Sequence, residues 1–131
     1  MKIAYVAGPY RSKYGLPGVI INIIRAWRIA CKLWRMGYCV ICPHANSALM
    51  SAKGIPETRF LEGDKLLMLQ CHVVVLAPGW WDSSGTMEEI RIATEAGIPV
   101  YSWSQDGADK LAYIKRWRDD NDHDNRSGRT D

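Results

Sequence analysis

Two periodicities alternate along this chain. Short apolar runs, Ile3 to Ala7, Tyr38 to Cys42, Val73 to Ala77 and Val100 to Trp103, are separated by longer stretches in which apolar residues recur every three or four positions. The Val73 to Ala77 run is β-branched and continuous, as expected of a strand buried on both faces. Val19 to Leu33 reads as an amphipathic helix whose stripe of Ile20, Ile23, Ile24, Trp27, Ala30, Cys31 and Trp34 is expected to pack into the core. Gly37 closes that helix as a C-cap and Tyr38 opens the second strand. Pro56 to Gln70 reads as another helix, one more follows the Ser83 loop, and a last is expected from about Asp106 to Arg118.

Strands alternating with helices favour right-handed crossovers and a parallel sheet. The expected fold class is therefore α/β, a Rossmann-like (flavodoxin-like) three-layer sandwich with a mainly parallel sheet of four to five strands. A length of 131 residues suits one domain with a real core. The expected division is a domain over residues 1–118 and a polar tail over 119–131, which has no apolar residue and the composition of a mobile segment. Residues 118–131 hold three Arg and five Asp, a net of −2, so a total of +3 leaves +5 on the body. That charge suits an anionic small ligand. The basic residues are scattered along helix faces without an aromatic-interleaved stripe, which argues against a nucleic-acid polymer as partner.

Four cysteines, Cys31, Cys39, Cys42 and Cys71, are expected as reduced thiols in a cytoplasmic protein. Cys39 and Cys42 have a two-residue spacing but lie within one strand, whose side chains alternate between faces, so neither a metal nor a redox cofactor is expected. No membrane association is expected, because Asn22, Arg25, Arg28 and Lys32 interrupt the first helix.

The candidate chemistry gathers in Gly79-Trp80-Trp81-Asp82-Ser83-Ser84-Gly85-Thr86-Met87-Glu88-Glu89, a small-residue turn after an apolar strand with carboxylates on the helix that follows. Ligands of open α/β sheets sit beyond the carboxyl ends of such strands. Glu88 shares a stripe with Arg91, Ile92 and Glu95, a solvated face with charge pairs. Glu89 lies with Ile92, Ala93 and Ala96, on an apolar stripe near the positive end of a helix, where a carboxylate is either satisfied locally or functional. Dipole compensation in a first helical turn is the plain alternative. Asp64 is similarly placed, on the stripe of Phe60, Leu67 and Cys71, with a structural ion pair as its plain alternative. Two carboxylates on apolar helix faces bordering the same strand suggest acid and nucleophile work on a glycosidic bond.

Residues 2–104 resemble the nucleoside 2-deoxyribosyltransferases and the related deoxynucleoside 5'-monophosphate N-glycosidases. The resemblance rests on Ala4-Tyr5-Val6-Ala7-Gly8-Pro9-Tyr10-Arg11, on Cys42-Pro43-His44-Ala45-Asn46, on Asp64, on Ser83-x-Gly85-x-x-x-Glu89 with Ala93, and on Gly97-Ile98-Pro99-Val100. A short branch of that superfamily found in phages and bacteria looks closest. The resemblance implies that Glu89 attacks C1' of the sugar to form a covalent glycosyl enzyme, that Asp64 protonates the departing base, and that Tyr5 orients the nucleophile. It implies substrate contacts by Gly8, Tyr10, Arg11, His44, Asn46, Ser83, Gly85 and Thr86, with Arg11 and the loop N–H groups suited to a phosphate.

The expected activity is hydrolysis of the N-glycosidic bond of a (deoxy)nucleoside 5'-monophosphate. Base exchange between nucleosides, or binding of a nucleotide without turnover, stays open. Family relatives carry Asp where this chain has His72, a position expected to be structural. Trp80 and Trp81 are expected to wall the base pocket or to form a subunit contact. The resemblance also implies a homo-oligomer, a dimer or larger.

Overall fold

The computed structural model describes residues 1–103. The helix expected at Asp106 to Arg118 and the tail expected from residue 119 lie outside the described residues. The element order is β1 (Ile3–Ala7), α1 (Leu16–Arg35), β2 (Cys39–Ile41), α2 (Pro43–Asn46), α3 (Glu57–Leu69), β3 (Val73–Leu76), α4 (Ser84–Glu95) and β4 (Val100–Ser102), with 3-10 turns at Met50–Lys53 and Trp80–Asp82. The four strands form one parallel sheet of order β2-β1-β3-β4. This is a Rossmann-like three-layer arrangement, and its strand order turns back between β1 and β3, the point at which such sheets open a crevice.

Strand alternation divides the core in two. Ala4, Val6, Val73, Val75 and Ala77 face α1, meeting Ala26, Ile29, Ala30 and Leu33. Tyr5, Ala7, Val74 and Leu76 face the other way and meet Met68 of α3 and Ala93 of α4. The all-buried β3 matches its continuous apolar run, since both faces are covered. His72 fastens the strand ends: its backbone N–H donates to the Ile3 carbonyl and its Nδ1 accepts from the Ile3 N–H at 2.9 Å. Among the described residues no helix is long and apolar enough to cross a membrane.

The first helix corrects an expectation. Its sheet-facing side is Ala26, Ile29, Ala30 and Leu33, whereas Ile20, Ile24, Trp27 and Trp34 of the expected core stripe are about half exposed. Two apolar stripes adjoin on this helix. Side-chain size chooses between them, because small residues let a helix sit close on a sheet and two tryptophans hold it away. Gly37, at φ 93°, ends the helix as expected of a C-cap glycine.

At the end of β1 the two central strands nearly touch. A Cβ added at Gly8 would lie 2.6 Å from the Ala77 Cβ, while the Ala77 N–H donates to the Ala7 carbonyl at 2.7 Å. Gly8→Ala therefore forces β1 and β3 apart where the crevice opens. The expected result is a loss of about 1–3 kcal/mol in urea unfolding, and an unchanged midpoint would refute the close-packing reading.

Candidate active site

Beyond the carboxyl ends of β1 and β3 lies a cleft of about 1010 Å³, large enough for a nucleotide-sized ligand. Tyr5, Asp64 and Glu89 meet in its wall from three separate elements. Tyr5 points from β1 to the α3/α4 side of the sheet because of strand alternation, and Asp64 and Glu89 are the carboxylates those two helices turn toward it. Helical spacing separates the two glutamates as the sequence indicates. Glu88 is ion-paired with Arg91 at 2.6 Å on the outer face, and Arg91 also holds Glu95 at 2.7 Å.

Glu89 is the sixth residue of α4, past the first turn, so the helix dipole gives it little help. Burial pushes its carboxyl up to about 7, with the charge of Asp64 adding to the rise, against a hydrogen bond from the Tyr5 hydroxyl and the charge of Lys65, which favour the anion. Asp64 is also raised, by burial. The Tyr5 phenol is held well above its ordinary range by burial and by the adjacent carboxylates, so it donates and does not ionise. Two interacting carboxyl groups of this kind titrate as a pair, and both are shifted upward here. Such a pair can supply an acid and a base side by side.

The α4 N-terminus forms a second wall. Ser83 caps the helix: its Oγ accepts from the Thr86 N–H at 3.2 Å and from the Thr86 hydroxyl at 2.9 Å, leaving the serine O–H free to donate. Thr86 is fully buried beneath it. A Cβ at Gly85 would meet no protein atom within 4 Å, so this backbone faces the cleft unshielded.

The loop after β1 closes the opposite side. Asn22 donates to the Tyr10 carbonyl at 3.1 Å, the Leu49 N–H donates to the Tyr10 hydroxyl at 3.3 Å, and His44 donates through Nε2 to the Pro9 carbonyl at 2.9 Å. The buried His44 ring meets Tyr10 edge-on at 5.6 Å, and burial lowers its pKa, keeping it neutral. Its Nδ1 is the buried side-chain polar atom left without a hydrogen-bond partner among the described residues. Arg11 is exposed at the rim and makes a two-pronged ion pair with Glu57 at the start of α3, its Nε donating to Oε1 at 2.9 Å.

Of the residues expected at the site, Tyr5, Gly8, Tyr10, Arg11, His44, Asp64, Ser83, Gly85, Thr86 and Glu89 all line this cleft. Asn46 does not. It is exposed at the end of α2 and borders a separate groove beside Trp27 and Trp34, because α2 turns immediately after Pro43 and carries its last residue away. Of the two places expected for Trp80 and Trp81, the pocket wall is not the one they take. Trp80 packs on the α3/α4 side of the core with its Nε1 donating to Ser102 at 3.0 Å, Trp81 is exposed, and neither lines the cleft. Glu57, Phe60 and Leu61, none of them among the residues expected at the site, also border the cleft. The helix period that puts Asp64 inward puts Phe60, Leu61 and Glu57 on the same side one and two turns earlier.

The model of a domain of unknown function, DUF4406, matches residues 2–102, and the chain belongs to that family. No curated protein matches it.

Proposed function

We propose that this DUF4406 protein hydrolyses the N-glycosidic bond of a (deoxy)nucleoside 5'-monophosphate, as the resemblance to the nucleoside 2-deoxyribosyltransferase superfamily implies. The observation that carries the reading is the convergence of Asp64, Glu89 and Tyr5 in one cleft, with both carboxyls raised. The ionised Glu89 attacks C1' as the bond to the base breaks. Asp64 gives its proton to the departing base nitrogen, and a glycosyl ester forms on Glu89. Asp64, now the base, takes a proton from water as that water attacks C1', the ester bond breaks, and Glu89 leaves as the carboxylate. Tyr5 donates to whichever form of Glu89 is the anion and holds it in line.

Incubation with deoxynucleosides, ribonucleosides and their 5'-monophosphates, with and without added free base, tests this directly. Release of base that depends on Glu89 is the expected result. Base exchange would place the chain with the transferases, and the absence of turnover across the panel would overturn the enzymatic reading.

Arg11 supplies the preference for monophosphates. Its guanidinium is charged at every working pH and stands at the cleft rim, where only an exposed and therefore weak ion pair with Glu57 has to yield to a phosphate. Arg11→Ala is expected to raise KM for a monophosphate about tenfold or more, on the scale of one charge-assisted contact, while leaving the nucleoside within about twofold. Equal losses for both would remove the phosphate assignment.

A further inference from the structure

Phe60 is the single phenylalanine of the chain, and the core does not use it. Phenylalanine is among the residues most often buried in a core. Phe60 instead belongs to neither core cluster and lies half-buried in the cleft wall on α3. It precedes Asp64 by one helical turn, so its ring and the Asp64 carboxyl are neighbours on one face, about 5–6 Å apart at Cβ. Leu61 beside it also lines the cleft and is 50% exposed. An apolar surface next to a proton donor is thus left open to whatever enters.

Among the described residues five aromatic rings line the cleft, and four of them are engaged. Tyr5 is buried and donates to Glu89. Tyr10 and His44 meet edge-on at 5.6 Å, and His44 donates to the Pro9 carbonyl. Tyr14 has the Lys13 ammonium over its face at 5.2 Å. No ring or cation of the described residues covers Phe60.

We propose that Phe60 is the stacking platform of this site, a binding residue for a planar heteroaromatic base whose edge then lies against Asp64. The assignment rests on the N-glycosidase reading above. A general acid must stand within hydrogen-bond reach of the atom it protonates. A base laid flat on a ring one turn from Asp64 presents to that carboxyl its edge, where the nitrogen lone pairs are. Stacking makes no use of the substituents by which bases differ, because every base has a π-face. Phe60 therefore supplies affinity for bases in general and leaves the choice among them to groups that meet their edges.

Titration calorimetry of the full chain tests the proposal, using the 5'-monophosphates of the four deoxynucleosides and, as a ligand without a base, deoxyribose 5-phosphate. Glu89→Gln is present throughout to stop turnover, so that binding alone is read. Adding Phe60→Ala is expected to weaken all four monophosphates by about tenfold or more, on the scale of base–aromatic stacks. Deoxyribose 5-phosphate is expected to stay within about twofold. Phe60→Trp is expected to keep or improve the affinity and Phe60→Leu to lose most of it, since leucine fills the space without a π-face. Unchanged affinity in Phe60→Ala, full affinity in Phe60→Leu, a loss confined to one base, or an equal loss for deoxyribose 5-phosphate would each overturn the platform. Binding that depends on Phe60, in a chain whose wild type releases no base, would support the platform and overturn the reaction instead. A chain that binds none of the monophosphates would overturn both.

Discussion

Glu89→Gln removes base release, with kcat falling by about 10⁴-fold or more, the scale for loss of a covalent nucleophile, while Glu88→Ala retains activity within about twofold. The two residues are adjacent in sequence and separated by helix geometry alone. Glu88 spends its charge on Arg91 in solvent, and Glu89 holds its carboxyl beside Tyr5 in the cleft. The same substitution is expected to stabilise the protein. A carboxyl raised from 4.5 to about 7 by burial favours folding fully below pH 4.5 and loses that contribution as pH rises to about 7. At neutral pH the neutral Gln escapes the cost of a buried anion, a gain of about 1–3 kcal/mol. Loss of turnover together with a higher melting temperature is the combination to look for; loss of both activity and stability would point to a structural role. A reversed ranking of Glu88 and Glu89 would sink the helical-face argument.

Asp64→Asn lowers kcat by about 10²–10⁴-fold, the usual worth of a general acid, and the pH profile identifies how. In the wild type, kcat/KM is expected to rise as Glu89 ionises toward pH 7 and to fall as Asp64, itself raised by burial, loses its proton. Removing the Asp64 charge deletes the alkaline limb. It also moves the acidic limb to lower pH, because that charge is one of the causes holding Glu89 up. Tyr5→Phe moves the acidic limb the other way, since the phenol's hydrogen bond favours the Glu89 anion. An Asp64→Asn enzyme that keeps both limbs unchanged would exclude Asp64 from the proton transfer. A substrate whose base leaves without protonation is expected to recover most of the lost rate, which a merely misfolded variant would not show.

Much of this was legible in the residues. The β1 bounds agree end to end, β3 and β4 are one residue shorter than expected at their C-terminal ends, and β2 is one residue shorter at each end, as strands identified by hydrophobic runs commonly are. The cleft residues were legible for a related reason: Gly8, Ser83 and Gly85 follow strands at the edge where α/β ligands bind, and spacing along a helix assigned Asp64 and Glu89 to inward faces. Three features escaped. Most of the α1 stripe expected in the core lies outside it, Asn46 turns away from the cleft that holds His44, and Trp80 and Trp81 stand outside the cleft although they adjoin its Ser83 wall in sequence. Each depends on the direction taken by a turn or on which of two apolar surfaces meets the sheet. Periodicity measures neither.

The sequence by itself determined the alternation of strands and helices, the parallel sheet, and the faces on which Asp64 and Glu89 lie, because these follow from local period and from the handedness of connections. Only the tertiary structure decided the rest. Tyr5, Asp64 and Glu89 lie far apart in the chain, and they meet only because strand order β2-β1-β3-β4 brings three elements to one cleft, where burial raises both carboxyls. The choice of which α1 face turns to the sheet was likewise made by volume: small side chains fit at the contact and tryptophans do not, a constraint that arises only when helix and sheet are pressed together.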